Sequence, residues 1–194
     1  MKLSDIAQVT PGYAFRGAIE ETRNGNTLVF QARDLVQGVP VSDVSSLTKI
    51  SLDLPPDDRY LQKNDVLIVA RGMKAGAFRA AVFMSDAQNV IASASVHIIR
   101  ISTSKVLPEF LSHYLNSKEG QDSLANIVTG SYIGALPRRE LIHIKIPVPE
   151  LEKQKAIVAL HENIQAQQSI VDRRQYLKQQ IVEATFTNLT KQHD

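Results

Sequence analysis

The stretch LEKQKAIVALHENIQAQQSIVDRRQYLKQQIVEATFTNL, residues 151–189, decides the fold class of this chain. It contains neither proline nor glycine, and most of its residues have a high helix propensity. A single helix over these residues is about 57 Å long at 1.5 Å per residue, which is far longer than a typical globular helix. The sequence therefore predicts one long C-terminal helix within residues 150–194.

Apolar residues recur along this helix at spacings of three, four and seven, and then in a second register offset by one residue, as at a coiled-coil stutter. Since the chain offers no second long helix, we expect the stripe to pack against a helix of another chain. The alternative is a helix folded back over the preceding domain. The predicted dimerisation residues are Ile157, Leu160, Ile164, Val171, Leu177 and Ile181.

Residues 1–149 differ in character, because short apolar runs alternate there with turns rich in Gly, Pro and Asn. Two helices are expected, at Pro108–Ser117 and Glu119–Ile127. The predicted strands are Thr27–Phe30, Asp65–Ala70, Ala80–Met84, Val96–Ile101 and Ile142–Val148. The fold class that follows is α/β of the α+β kind: a mixed, mainly β domain over residues 1–149, then one long coiled-coil helix.

The composition of the chain excludes several classes of protein and indicates the charge of a partner. Hydrophobic residues make up 43% of the 194, which excludes a disordered chain, and the absence of cysteine excludes disulfide scaffolds and thiolate chemistry. No apolar run has the length of a membrane span, so we expect a cytoplasmic protein with no membrane partner. The net charge is only +2, yet residues 59–105 carry seven basic against two acidic side chains. This excess favours a polyanionic partner, although an ordinary solvated surface remains the alternative.

Signatures of catalysis are missing. The five histidines are scattered without metal-ligand spacing, and there is no nucleophile elbow, phosphate-binding loop or dinucleotide fingerprint. We therefore expect no enzyme activity, no metal and no cofactor in this chain, and a binding protein is the better interpretation.

Three segments carry a family resemblance. The start KLSDIAQVTPGYAFRG, the middle YLQKNDVLIVARGMKAG and the stretch from LPEFLSHYLNS to IPVPELEKQKAIV resemble, in order and spacing, a unit of the specificity (S) subunit of type I restriction-modification systems. Together they extend from Lys2 to Val158. The sequence departs from the family pattern at Asn64, where glycine is usual, at Glu150, where proline is usual, and at Lys153, where glutamate is usual.

This resemblance implies a target-recognition domain that binds double-stranded DNA, followed by a helix that dimerises and docks partners. It implies DNA methyltransferase (M) subunits as partners, with restriction (R) subunits as a further possibility, and S-adenosylmethionine bound only by the methyltransferase. A full S subunit resembles two such units in tandem, whereas this chain has one. The expectation is thus a half-subunit that acts as a homodimer on a bipartite site.

Candidate DNA contacts are loop residues whose side chains suit phosphates or base edges. Arg71, Lys74 and Arg79 surround two glycines in one basic loop, and the other candidates lie near turns. The remaining set is Tyr13, Phe15, Arg16, Gln31, Arg33, Ser131, Tyr132 and Arg138, with Thr129, Gly130 and Arg139 beside it. Structural alternatives stay open, since Arg71 can form an ion pair and Tyr13 or Phe15 can belong to the core. An assembly or adaptor protein without DNA readout is the alternative function.

Overall fold

A computed structural model describes residues 1–52, 59–72, 77–130 and 134–191, with side chains described up to residue 187. The chain divides into two units, Met1–Lys155 and Ala156–Asp194. The helices are α1 (Pro108–Asn116), α2 (Lys118–Ala125), α3 (Arg138–Leu141) and α4 (Leu151–Lys191). The strands are β1 (Ala7–Pro11), β2 (Thr27–Phe30), β3 (Thr48–Ile50), β4 (Val66–Val69), β5 (Arg71–Gly72), β6 (Ala80–Val82), β7 (Val90–Ala92), β8 (Val96–Ile101) and β9 (Gly134–Ala135).

The first unit is organised around an antiparallel sheet in the order β1-β8-β4-β6. Strands β4 and β8 form its centre, and all four residues of β4 are buried. Branched apolar side chains suit such a strand because they pack on both faces of the pleat. Helix α1 packs against β6 and β4 through a stripe that includes Phe110, Leu111 and Leu115.

A second sheet, in the order β3-β2-β7, shares its core with the first. Strand β2 runs antiparallel to β3 and parallel to β7. Phe30 of the second sheet and Phe83, which follows β6, are both fully buried in one cluster with Leu67 and Ile98. The two sheets therefore form one hydrophobic core, which fixes the loops at their ends relative to each other.

The turn before β4 explains one departure from the family pattern. Asn64 has a φ of 75°, in the left-handed region that glycine adopts most easily and asparagine tolerates better than other residues. The turn is closed by Asp65 N–H, which donates to Gln62 O at 3.0 Å, and by Gln62 N–H, which donates to the Asp65 carboxylate at 2.8 Å. Asparagine thus supplies at residue 64 the conformation that glycine usually supplies.

We expect Asn64→Gly to leave the free energy of unfolding within about 0.5 kcal/mol, while Asn64→Ala lowers it by about 1–2 kcal/mol. The reason is that a Cβ without a polar group disfavours the left-handed region. Urea denaturation of both variants checks this. Equal stability of the alanine and glycine variants would contradict it.

Most of the predicted elements are confirmed, and one strand is wrong. Residues 142–148 do not form a strand. Lys145 forms an isolated antiparallel β-bridge with Lys2, and Ile146 N–H donates to Met1 O at 2.7 Å. The pairing cannot extend because the opposing segment turns into a 3-10 helix at Leu3–Asp5, and Pro147 and Pro149 have no N–H to donate.

The long helix α4 has 41 residues and is about 62 Å long. Its first turn belongs to the first unit, where the fully buried Gln154 amide donates to Lys105 O and Pro149 O and accepts the Leu107 N–H. Over the described residues, no helix combines the length and the apolar character that a membrane span requires. In the second unit, the six predicted dimerisation residues are all exposed: Ile157, Leu160, Ile164, Val171, Leu177 and Ile181.

Candidate DNA interface

The turn between β7 and β8, residues Ser93–Ser95, joins three of the loops that sequence analysis singled out. Ala94 N–H donates to Tyr13 O at 2.8 Å, and Ser93 N–H donates to Phe30 O, next to Gln31, at 2.8 Å. Ser95 O accepts the N–H of Ala70, next to Arg71, at 2.8 Å. The structure therefore brings together segments that are far apart in sequence, and we call these three loops with the Ser93–Ser95 turn the candidate interface.

The first loop carries Tyr13, Phe15 and Arg16. Tyr13 and Phe15 meet edge to face with ring centroids 4.9 Å apart, and both pack, half-buried, against the cluster of Val29, Ile50 and Ile91. Arg16 is exposed. Their neighbour must be glycine, since a Cβ at residue 12 would lie 2.0 Å from Ser93 O. The aromatic pair thus anchors the loop to the core, and Arg16 is the side chain that it presents to solvent.

The second loop is a 3-10 turn, Ala32–Asp34, that begins at Gln31. Gln31 N–H donates to Asp34 Oδ2 at 2.8 Å, and Ala32 N–H donates to Ser95 Oγ at 3.1 Å. The Gln31 side chain is half-buried, and the Arg33 side chain is 68% exposed. An amide and a guanidinium therefore stand side by side on a turn whose backbone is held at several points.

Arg79 stabilises this same turn through hydrogen bonds to backbone oxygens. Its Nε donates to Leu35 O at 3.1 Å and its terminal nitrogen donates to Ala32 O at 3.0 Å. A guanidinium has five N–H donors, so these two bonds leave others for a ligand. The structure assigns Arg79 a structural contact, and its predicted DNA contact stays a prediction.

The third loop begins in a short two-stranded sheet formed by β5 and β9. Arg71 and Gly72 of β5 pair with Ala135 and Gly134 of β9, and the Arg71 side chain is exposed. Thr129 pairs with Ala135 through two backbone hydrogen bonds, which brings the exposed segment Thr129–Gly130 to the same two-stranded sheet. The candidates Lys74, Ser131 and Tyr132 lie outside the described residues.

The paired arginines of α3 differ from each other. Arg138 is exposed, and its Nε donates to Val9 O of β1 at 2.6 Å. Arg139 has 82% of its side chain exposed and lies 3.3 Å from the Glu140 carboxylate. Arg138 thus has a structural contact with β1 of the first sheet, while Arg139 forms an ion pair with its helix neighbour. Within the part of the chain that the structure describes, no three His, Asp or Glu side chains form a metal site.

His97 lies in β8 and contacts Leu136, the residue that follows β9. Its Nε2–H donates to Leu136 O at 2.7 Å, and its Nδ1 is buried without a hydrogen-bond partner among the described residues. Burial lowers the pKa of His97 below its usual 6.5, the hydrogen bond to Leu136 opposes this shift, and the charge of Arg138 adds to it. The imidazole is therefore neutral at pH 7, and protonating it would place a charge in the buried space between β8 and Leu136.

This environment predicts a loss of stability in mild acid. Because the pKa of His97 is lower in the folded than in the unfolded state, its contribution is present above pH 6.5 and falls as the pH drops towards the folded value. For one titrating group, the free energy of unfolding changes by at most about 1.4 kcal/mol per pH unit. In urea denaturation between pH 7.5 and 5.5, His97→Gln should reduce the dependence of the unfolding free energy on pH, and His143→Gln, at an exposed position, is the control. If His97→Gln left the dependence of the unfolding free energy on pH unchanged, this prediction would be wrong.

The contacts that join the loops come from residues that sequence analysis missed. Ser93 and Ser95 accept or donate the bonds described here, yet each is a small polar residue within an apolar run. The run VIASASVHI, residues 90–98, contains the only signal: two serines interrupt its apolar pattern and mark a turn between two strands.

These features define a β-rich unit with arginine and glutamine on joined loops, followed by a long helix with an exposed apolar stripe. A family model described as type I restriction modification DNA specificity domain matches residues 1–183. The chain belongs to this family of DNA specificity domains.

Solved structures have the same fold at low sequence identity. An S subunit of a type I restriction-modification system from M. genitalium matches with 13% identity and a TM-score of 0.55, covering 82% of this chain and 37% of that one. The HsdS subunit from Thermoanaerobacter tengcongensis matches with 19% identity and a TM-score of 0.62, covering 90% and 39%.

A third structure, described as concerning complex assembly and conformational transition of the type I R-M system, matches with 19% identity and a TM-score of 0.64, covering 90% of this chain and 40% of that one. This chain spans about two fifths of the length of these three proteins. No match was found among curated protein sequences.

Proposed function

We propose that this chain binds double-stranded DNA sequence-specifically through the candidate interface and directs a partner adenine methyltransferase to its site. The observation that carries the proposal is the joining of three loops at the Ser93–Ser95 turn, because it places Arg16, Arg33 and Arg71 on one connected set of loops. Membership of the DNA specificity domain family supports it independently. Arginine is the side chain that pairs best with guanine and with phosphate.

The chemistry is assigned to the partners. Methyltransferase subunits bind S-adenosylmethionine and transfer its methyl group, restriction subunits act on the same complex, and this chain supplies sequence recognition without catalysis. Because the chain supplies no catalysis, incubating the purified chain with S-adenosylmethionine and DNA should yield no methylated product. Methylation by this chain alone would contradict the assignment. The expected compartment is the cytoplasm.

The exposed stripe on α4 supports a homodimer. Its apolar side chains are exposed in the structure, and a second copy of the same helix, packed antiparallel, would bury them. A two-fold axis presents identical loops to two half-sites, so the recognised DNA would be bipartite and palindromic, with a spacer set by the helix length.

The experiment that tests this function is selection of binding sites from random double-stranded DNA by the full chain. We expect two inverted half-sites separated by a gap of fixed length. Enrichment of no sequence, with self-association retained, would overturn the proposal in favour of an assembly protein that does not contact DNA. A single ungapped, asymmetric site would overturn the dimeric part alone.

Arg71→Ala provides a residue-level prediction. If Arg71 contacts a guanine, the variant should lose about 1–3 kcal/mol of discrimination at one base pair of the selected site. If it contacts only phosphate, binding to all sequences should weaken alike and the salt dependence should fall by about one unit. Lys118→Ala removes the same charge from α2, outside the candidate interface, and serves as the control. Wild-type affinity and preference in Arg71→Ala would contradict the role of this loop.

A further inference from the structure

Two candidate base-reading side chains share one acceptor. Thr48 Oγ1 accepts a hydrogen bond from the terminal nitrogen of Arg33 at 2.8 Å and another from Gln31 Nε2 at 3.3 Å. Thr48 lies on β3 opposite Val29 of β2, the strand that leads into Gln31. A hydroxyl oxygen has two lone pairs, so one threonine satisfies both donors.

Both side chains keep the groups that a base would use. The bond to Thr48 takes one of the five N–H donors of Arg33, which leaves a donor on each terminal nitrogen for a bidentate contact with guanine. Gln31 keeps its amide oxygen and one amide N–H, which are the acceptor and donor that match adenine. Contact with Thr48 therefore orients these side chains without consuming their recognition chemistry.

The backbone beneath them is already fixed. The Asp34 carboxylate accepts the N–H of Gln31, and Ser95 Oγ accepts the N–H of Ala32. The Arg79 guanidinium donates to the backbone oxygens of Ala32 and Leu35. Freedom in this loop thus resides mainly in the side chains of Gln31 and Arg33, and the Arg33 Nε also lies 3.8 Å from Asp34 Oδ1. Thr48 is the residue that restricts both.

We propose that Thr48 is a positioning residue for DNA sequence readout, which holds Gln31 and Arg33 in their base-contacting orientation before DNA binds. This inference rests on the proposed function. Ordering a long side chain at an interface costs about 2- to 12-fold in affinity, so a side chain that is ordered beforehand gains that factor for its matched base. Thr48 would then raise the preference for the matched site although it contacts no base itself.

The test compares Thr48→Val, which keeps the branched shape but removes the acceptor, with Thr48→Ser, which keeps the acceptor. The measured quantity is the dissociation constant of the full chain for a site changed at a single base pair, divided by its dissociation constant for the selected site. We expect Thr48→Val to lower this ratio by about 2- to 12-fold at one or two base pairs, and Thr48→Ser to retain the wild-type ratio. Thr48→Ala should repeat the loss, which distinguishes a missing acceptor from a packing fault peculiar to valine.

A double-mutant cycle separates positioning from general loosening of the fold. In the background Gln31→Ala with Arg33→Ala, Thr48→Val should have no further effect on the ratio, because the side chains that it orients are absent. An equal effect in that background would overturn the inference. A wild-type site preference that Thr48→Val leaves unchanged would overturn this inference alone, whereas a wild type without any site preference would overturn the proposed function and this inference together.

Discussion

Asp65→Asn is expected to lower the free energy of unfolding by about 3 kcal/mol, near the lower end of the range for a broken buried ion pair. The Asp65 carboxylate is 1% exposed and accepts two N–H groups of Arg100, from Nε at 2.8 Å and from a terminal nitrogen at 2.7 Å. An asparagine would remove the negative charge that pairs with this guanidinium at the start of β4. Arg100 keeps part of its side chain in solvent, which moderates the cost.

Asp86→Asn is the matched control for this prediction. Asp86 pairs with Lys63 at 2.9 Å, but both side chains are largely exposed, so its loss should cost less than about 1 kcal/mol. Urea denaturation of the two variants side by side measures the difference. Equal costs for the buried and the exposed pair would contradict the structural importance assigned to Asp65.

Replacing Leu160 and Ile164 together with aspartate is expected to convert a dimer into a monomer at micromolar concentration. Both side chains are exposed on α4, and burying each in a helix pair contributes about 1.5–3 kcal/mol. Losing both should raise the dissociation constant of the dimer by more than about 100-fold. Sedimentation equilibrium of wild type and variant measures the change.

The control places the same two charges on the opposite side of the helix. Ala166→Asp with Ser169→Asp lies roughly half a turn from the apolar stripe, at positions that are exposed. This variant should remain dimeric. A wild type that is monomeric at micromolar concentration, or dissociation caused equally by both variants, would contradict the predicted helix contact.

Sequence predicts the elements whose pattern is local. The long helix, α1 and the buried strands β4 and β8 follow from periodicity and from continuous apolar runs. Strand β1 was missed because it contains polar residues and a proline, and β3, β5, β7 and β9 were missed because each has only two or three residues and lies outside the longer apolar runs. Such strands form because of their partners: Ala7 of β1 pairs with Ile101 of β8, far along the chain.

The sequence predicted which residues lie in the candidate interface, but not which contacts they make. The exposed side chains of Arg16, Arg33 and Arg71 lie on the loops that the sequence indicated. The contacts of Arg79 and Arg138 with distant backbone carbonyls could not be predicted, since they depend on which loops the two sheets bring together. The role of Thr48 as a shared acceptor was hidden for the same reason.

The most direct test of the central claim is a map of N6-methyladenine across the genome of the source organism, with this gene present and with it deleted. The account predicts that one gapped, two-part motif is methylated only when the gene is present, because this chain supplies the recognition that the methyltransferase lacks. An identical methylation map in both strains would contradict it.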